Sequence, residues 1–361
     1  MARELIKGDE AIGEAAVQAG CKLFFGYPIT PQTEILEYMS RRLPEIGGSF
    51  VQAESEVAAV NMVYGASGAG ERVMTASSSP GISLMMEGIS YLAGAELPAV
   101  IVNVMRAGPG LGSILPGQAD YLQATKGGGH GDYRCLTLAP WSAQESADLV
   151  QDAFDLADYY RNPVLVLCDG LIGQLMEPVE FHDGRSACKP LAAKTWATTG
   201  WDESRPRAVI NSLYLNPERL QAHNDHLQEK FAQIERDEVR WAALSGDGSV
   251  DVLLVAYGSA ARVCATALDI LAQQGIRAAL LRPISLFPFP TAELRRRSEA
   301  ATAVLVVELS AGQMIEDVRL AVQGRRPIHF LGRQGGQLVA PEEVAIAVRR
   351  IRSAAEEVAH V

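Results

Sequence analysis

The sequence predicts an α/β fold: a doubly wound domain at 1–181, a connector at 182–250 and a smaller α/β domain at 251–361. Three observations carry this. Short apolar runs alternate with helical stretches along most of the chain, the pattern of parallel sheets covered by helices. The runs AVIVNVM at 99–105, PVLVLC at 163–168 and DVLLVAY at 251–257 are nearly continuous in hydrophobicity, as strands buried on both faces are. Turns containing Gly and Pro follow several strands, at 26–31, 78–81 and 106–117, and ligands of open α/β sheets lie at such strand ends.

Taken in order, a helix is expected over 8–20, with Asp9 and Glu10 in its first turn, then a strand at 22–25. Pro31 opens a helix to 43, since proline is tolerated at the first helical position. Residues 49–52 form a strand and 54–70 a helix rich in Ala and Gly, which lets a backbone or a flat ligand approach closely. A strand at 73–77 leads through SSSPG to a helix at 82–93, and 99–105 is the next strand. Between Arg106 and Asp132, eight glycines and two prolines mark a long functional loop region with a short helix near 118–125. A strand at 135–138, a helix at 142–160 capped by Ser142 and a strand at 163–168 complete the first domain. In the connector, Asn216 and Pro217 start a long charged helix running to 244. Beyond it, strands at 251–257, 278–282, 304–308 and 328–331 alternate with helices that end at Gly275 or span 291–299, 312–322 and 341–352.

Composition narrows the function classes. A net charge of −11 argues against nucleic acid and against an anionic membrane surface, both of which need clustered cations. Cys21, Cys135, Cys168, Cys188 and Cys264 are scattered, with no CxxC pair for zinc or for an iron–sulfur cluster. Such thiols beside apolar runs read as reduced cysteines of a cytoplasmic protein. The first residues contain no apolar stretch of a secretion signal, and no run reaches the ~18 residues that span a membrane.

The chemistry concentrates at 26–81, where GYPITP, QAESEVAAVNMVYGASGAG and TASSSPG follow one another. Pro28 and Pro31 stiffen the first loop and hold Thr30 between them. Glu54 is expected at the start of the small-residue helix, where a carboxylate also answers the helix dipole; Glu56, two residues on, is its competitor. Together with MRAGPGLG and QADYLQATKGGGHGDYR, these motifs resemble the alpha subunit of 2-oxoacid:ferredoxin oxidoreductases, most strongly from Gly8 to Pro140 and again from Asp251 to Gly336. These are thiamine-diphosphate enzymes that oxidise 2-oxoacids to acyl-CoA.

The resemblance implies a pyrimidine-type domain followed by a transketolase C-terminal-like domain that mostly makes subunit contacts. It implies that Glu54 hydrogen-bonds the pyrimidine and activates the cofactor, and that Pro28, Ile29, Ser79, Pro80 and Gly81 line it. Thr30 and Arg106 match the positions that hold the substrate carboxylate, for which a guanidinium is chemically suited. The alternatives are helix capping for Thr30 and an ion pair with Asp120 or Asp132 for Arg106. GGGHG at 127–131 looks like a phosphate loop but no GK follows, and His130 reads as a backbone-bonded loop residue before it reads as an acid–base group.

The diphosphate half of a thiamine site, GDG followed by Asn about 25–30 residues later, is missing. Gly246–Gly248 and Cys168–Gly170 match only its first part. This implies one subunit of a complex. A beta subunit is expected to hold Mg2+ and the diphosphate and to carry a 4Fe-4S cluster. Gamma and ferredoxin-like delta subunits assist with CoA and with electron transfer to ferredoxin, or through a partner to NAD. The 106–134 region is most similar to the branched-chain type, acting on 2-oxoisovalerate, with 2-oxoglutarate and aryl 2-oxoacids such as phenylglyoxylate as alternatives. The rival readings are a thiamine enzyme without electron transfer and a non-catalytic α/β binding or scaffold subunit.

Overall fold

Two mainly parallel sheets, each covered by helices, organise the computed structural model, which describes residues 3–182, 185–245 and 248–359. The order begins β1 (Glu4–Lys7), α1 (Gly8–Gln18), β2 (Leu23–Gly26), α2 (Thr33–Glu45), β3 (Ser49–Gln52), α3 (Glu56–Gly68), β4 (Val73–Ser77), α4 (Pro80–Gly94) and β5 (Ala99–Met105). After the glycine-rich loop come α5 (Tyr121–Lys126), β6 (Leu136–Leu138), α6 (Ala143–Tyr160), β7 (Pro163–Asp169), α7 (Gly170–Gln174) and β8 (Met176–Val179). A crossing segment leads to α8 (Pro217–Asp237) and β9 (Trp241–Leu244). The remainder is β10 (Val250–Val255), α9 (Gly258–Gln273), β11 (Ala278–Pro283), β12 (Ser285–Phe287), α10 (Thr291–Glu299), β13 (Ala301–Glu308), α11 (Met314–Val322), β14 (Ile328–Gly332) and α12 (Pro341–Ala359).

The first sheet runs β12-β6-β7-β5-β4-β2-β3 and the second β14-β13-β10-β11-β9. Every neighbour pair is parallel except β12 on β6 and β9 on β11. The central strands β4, β5 and β7 are buried along their whole length, as their mostly apolar sequences require. All the described cysteines are free, and four of the five are buried. Among the described residues no helix is long and apolar enough to cross a membrane.

Several expectations shift. The helix expected from 54 begins at Glu56, because Ser55 caps it: its Oγ accepts from Ala58 N at 3.2 Å. The helix expected from Pro31 begins at Thr33, whereas α4 begins early, at Pro80. The connector helix stops at Asp237 instead of continuing to 244, and WAAL becomes edge strand β9 of the second sheet. Strand β12, from the far half of the chain, closes the edge of the first sheet. The pair β1–β8 ties the N-terminal segment to the end of the first sheet's covering layer. Gly246 and Asp247, which begin the partial GDG match, lie outside the described residues.

Helix α4 makes room for α3 at Gly88, against which a side chain of α3 packs closely. A Cβ on Gly88 of α4 would lie 2.5 Å from Val60 Cγ1 of α3, while Gly65 of α3 has open space around it. Helix propensity favours Ala over Gly by ~1 kcal/mol at both sites, but crowding a packed interface costs about 1–3 kcal/mol. Gly88→Ala should therefore lower the melting temperature and Gly65→Ala should hold or raise it. Thermal unfolding of the two variants side by side tests this, and a stabilised Gly88→Ala would show that the helices are not in close contact.

Candidate active site

Parallel strands deliver their C-terminal ends to one side, so the loops after β7, β5, β4, β2 and β3 stand next to one another in that order. Thr30, Glu56, Ser79 and Arg106 all belong to these loops or to the first helical turn beyond them.

Arg106 directly follows the seven-residue apolar strand β5 and is only 7% exposed. Its Nη1 donates to Thr30 O at 3.0 Å and its Nη2 to Leu111 O at 2.8 Å, while Nε is buried without a partner. Among the described residues no carboxylate pairs with it, so the ion pair to Asp120 or Asp132 is not formed. Asp120 is occupied elsewhere: it accepts from Ser79 Oγ at 2.5 Å and from Asn103 Nδ2 at 2.9 Å. Ser79 Oγ accepts from Arg106 N at 3.0 Å, and Ser79 N donates to Asn103 Oδ1 at 3.0 Å. Burial raises the Asp120 carboxyl above its ordinary range. Asn103, the one polar side chain in AVIVNVM, is thus the pin between β5, the start of α4 and the long loop; its isolation in an apolar strand was the signal for it.

Thr30 is brought against Arg106, but through its carbonyl; its side chain is exposed. The helix after it is entered at Gln32, so Thr30 is not the cap. Pro28 and Ile29 lie half-buried in the same loop. Gln32 and Gln174 hold that loop from below, donating to Tyr27 O at 2.9 Å and Pro31 O at 3.0 Å.

The two glutamates part company. Glu54 precedes the cap residue and is exposed, whereas Glu56 lies in the first turn of α3 and is 5% exposed. The Glu56 carboxylate packs against α4: a Cβ on Gly81 would overlap Ser77 Oγ and stand 2.6 Å from Glu56 Oε1. The hydroxyls of Ser77 and Ser78 are buried there without hydrogen-bond partners. A buried carboxylate, orphaned hydroxyls and a cradle open only to glycine fit one polar edge of a flat heterocycle. Among the described residues no group of three or more His, Cys, Asp and Glu is arranged to hold a metal.

The glycine loop is turned inward. The amides of Gly128 and Gly129 donate to Tyr133 Oη at 3.3 and 3.1 Å, and His130 is exposed. Asp132 offers its carbonyl to Gln228 of α8 at 3.0 Å. Asp169, in the partial motif at 168–170, caps α7.

Residues 14–239 match the family described as "Pyruvate flavodoxin/ferredoxin oxidoreductase, thiamine diP-bdg", and 250–344 match "Pyruvate:ferredoxin oxidoreductase core domain II". The class is therefore a thiamine-diphosphate-binding fold. The ketoisovalerate oxidoreductase subunit VorB of Methanothermobacter marburgensis is 50% identical over 97% of this chain and 98% of its own length. The 2-oxoglutarate synthase subunit KorA of Archaeoglobus fulgidus is 39% identical over 95% and 98%. This chain belongs to the same family, as an alpha subunit of the 2-oxoacid:ferredoxin oxidoreductases. A solved 2-oxoglutarate:ferredoxin oxidoreductase from Magnetococcus marinus, with 2-oxoglutarate, coenzyme A and succinyl-CoA bound, superposes with a TM-score of 0.85 at 26% identity. The match covers 97% of this chain and 65% of that one. A split-gene transketolase shares the fold at a TM-score of 0.60 and 16% identity.

Beneath the GYPITP loop a second carboxylate is shut away. Asp9 is fully buried, accepts from Gln174 Nε2 at 3.2 Å and faces Glu34, Lys7 and Glu10. Burial first, then the Glu34 charge, push it well above the ordinary aspartate range. A raised acid favours folding while protonated and loses that contribution as pH rises through its folded value. Asp9→Asn should accordingly gain melting temperature over the natural protein increasingly as pH rises above about 4, the ordinary aspartate value. A gap that stays constant across this range would show that Asp9 titrates normally.

Proposed function

We propose that this chain forms the pyrimidine side of a thiamine-diphosphate site shared with a beta subunit, in a complex that converts a branched-chain 2-oxoacid, CoA and oxidised ferredoxin to acyl-CoA, CO2 and reduced ferredoxin. The observation that carries this is the pairing, at one set of strand ends, of a buried guanidinium without a counter-carboxylate and a buried carboxylate beside orphaned hydroxyls. Thiamine diphosphate, when bound, supplies the carbon nucleophile and the electron sink for loss of CO2.

Glu56, rather than Glu54, is the carboxylate to hold the proton on the pyrimidine ring nitrogen. Its burial supports this, because a hydrogen bond to a ring nitrogen is electrostatically stronger away from water. Pro28, Ile29, Ser79, Pro80 and Gly81 flank the same space. Arg106 neutralises the carboxylate of the 2-oxoacid, and the stiff backbone at Thr30 orients the guanidinium. A branched aliphatic substrate is supported by the 50% identity to a ketoisovalerate subunit and by loop 106–117, where Leu111, Ile114 and Leu115 are exposed and Arg106 is the lone cation.

The beta subunit brings Mg2+, the diphosphate site and a 4Fe-4S cluster, and gamma and ferredoxin-like delta subunits complete the cytoplasmic complex. A covering partner is supported by the apolar side chains left exposed around the strand ends: Tyr27, Val51, Val57, Leu84, Leu111 and Ile114.

The test is CoA-dependent viologen reduction by the purified complex with 2-oxoisovalerate, 2-oxoglutarate and phenylglyoxylate. The first is expected to give the highest kcat/KM; preference for either of the others overturns the substrate and keeps the site. Glu56→Gln should lower kcat by about 10²–10³-fold and Glu54→Gln by no more than about threefold. The opposite ranking would return the role to Glu54.

A further inference from the structure

Gln118 opens the QADYLQATKGGGHGDYR stretch, and all of its polar groups are bonded in complete burial. Its N–H donates to Leu309 O at 2.8 Å, and its side-chain oxygen accepts from Leu309 N at 3.0 Å. Its Nε2 donates to Tyr257 O at 3.0 Å and to Asp169 Oδ2 at 3.3 Å, and its carbonyl accepts from Tyr257 Oη at 3.2 Å. Leu309 and Tyr257 lie just beyond the ends of β13 and β10 of the second sheet, while Asp169 ends β7 of the first. Asp169 also accepts from Ser259 N at 2.8 Å. Gly258 sits at φ +56°, and a Cβ there would lie 2.5 Å from Asp169 Oδ2 and 2.8 Å from Gln118 Nε2, so the junction has no room for a side chain.

This anchor is joined directly to the guanidinium. Residues 106–117 form a ring whose two ends lie side by side: Arg106 bridges Pro116, and Ala107 N donates to Leu115 O at 2.9 Å. A Cβ on Gly117 would stand 2.9 Å from Ala107 Cα and 3.1 Å from the Arg106 carbonyl carbon. One end of the ring is fixed by β5 and the other by Gln118. Two residues further on, Asp120 is held by Ser79 and Asn103.

We infer that Gln118 is a positioning residue for the 2-oxoacid: by locking the returning end of the Arg106 loop onto the strand ends of the second sheet, it sets where the guanidinium meets the substrate carboxylate. The second sheet thereby contributes to substrate binding in its own subunit, in addition to any subunit contacts. The inference rests on the proposed role of Arg106. It predicts loss of the carboxylate interaction without loss of the rest of the site, since small misplacements at a binding group have large effects.

The experiment uses the assembled complex and Gln118→Met, which keeps length and removes the side-chain hydrogen bonds. KM for 2-oxoisovalerate should rise about tenfold or more while KM for CoA stays unchanged. In an Arg106→Met background the same substitution should add less than about twofold, because the group it positions is gone. Lys126→Met, which breaks the 2.6 Å ion pair to Asp317 at the same inter-sheet boundary, should leave both KM values as they were. Full multiplication of the Gln118 and Arg106 effects, or equal rises in both KM values, would overturn the inference. An Arg106→Met enzyme with unchanged KM for the 2-oxoacid removes the Arg106 reading and this inference together. A large Arg106 effect with a silent Gln118→Met removes this inference alone. Should Gln118→Met fail to assemble, Gln118→Glu, which keeps the acceptor for Leu309 N and turns the donor into a second oxygen facing Asp169, must give the same split of KM values.

Discussion

A guanidinium shut away from water whose hydrogen-bond partners, among the described residues, are backbone carbonyls sets the terms for this end of the molecule. Burying a charge without a counter-charge is costly, and two backbone dipoles offset only part of that cost. They do so only if Thr30 and Leu111 keep their carbonyls aimed at Arg106, 3.0 and 2.8 Å away. Rigid loops therefore become a requirement. The first is braced by Gln32 and Gln174, and the other is pinned through Ser79, Asn103 and Asp120. On the proposed reading, an anion in front of Arg106 would complete a charge balance the protein leaves open, which is how affinity for a small carboxylate can be obtained from few contacts.

Glu56 represents the complementary choice. Here the carboxylate is dry, and the space beside it contains hydroxyls with no partner. Both halves of the site thus hold polar groups in a state that costs stability in the isolated chain, the usual mark of groups kept for function.

The regular elements were largely legible in the sequence because burial on both faces leaves an unmistakable apolar run. Strands β4 and β5 occupy the residues their hydrophobicity indicates. The expected caps Ser142 and Asn216 accept from Glu145 N and Arg219 N. What escaped were short strands stabilised by distant partners, β1, β8, β9 and β12, whose three or four residues carry too little pattern to separate them from loops. The helix expected from Glu54 starts two residues later. Ser is a far better cap than Glu, so Ser55 carried the information that the helix, and with it the buried first turn, begins at Glu56. The bonding of Gln118 could not have been found: its partners are 51, 139 and 191 residues away.

The pairing of β12 with β6 has a consequence for how this chain comes into being. Strand β6 is complete once Leu138 has been made, but the strand that protects its outer margin starts at Ser285. While the intervening chain emerges from the ribosome, the nascent first sheet presents an unpaired backbone edge, the feature that recruits foreign strands and seeds aggregation. A gene fragment stopping anywhere before that point encodes a sheet with an open flank. The two halves of this subunit are therefore sewn together at the level of backbone hydrogen bonds, and cannot be exchanged between relatives as separate modules without carrying the stitch along.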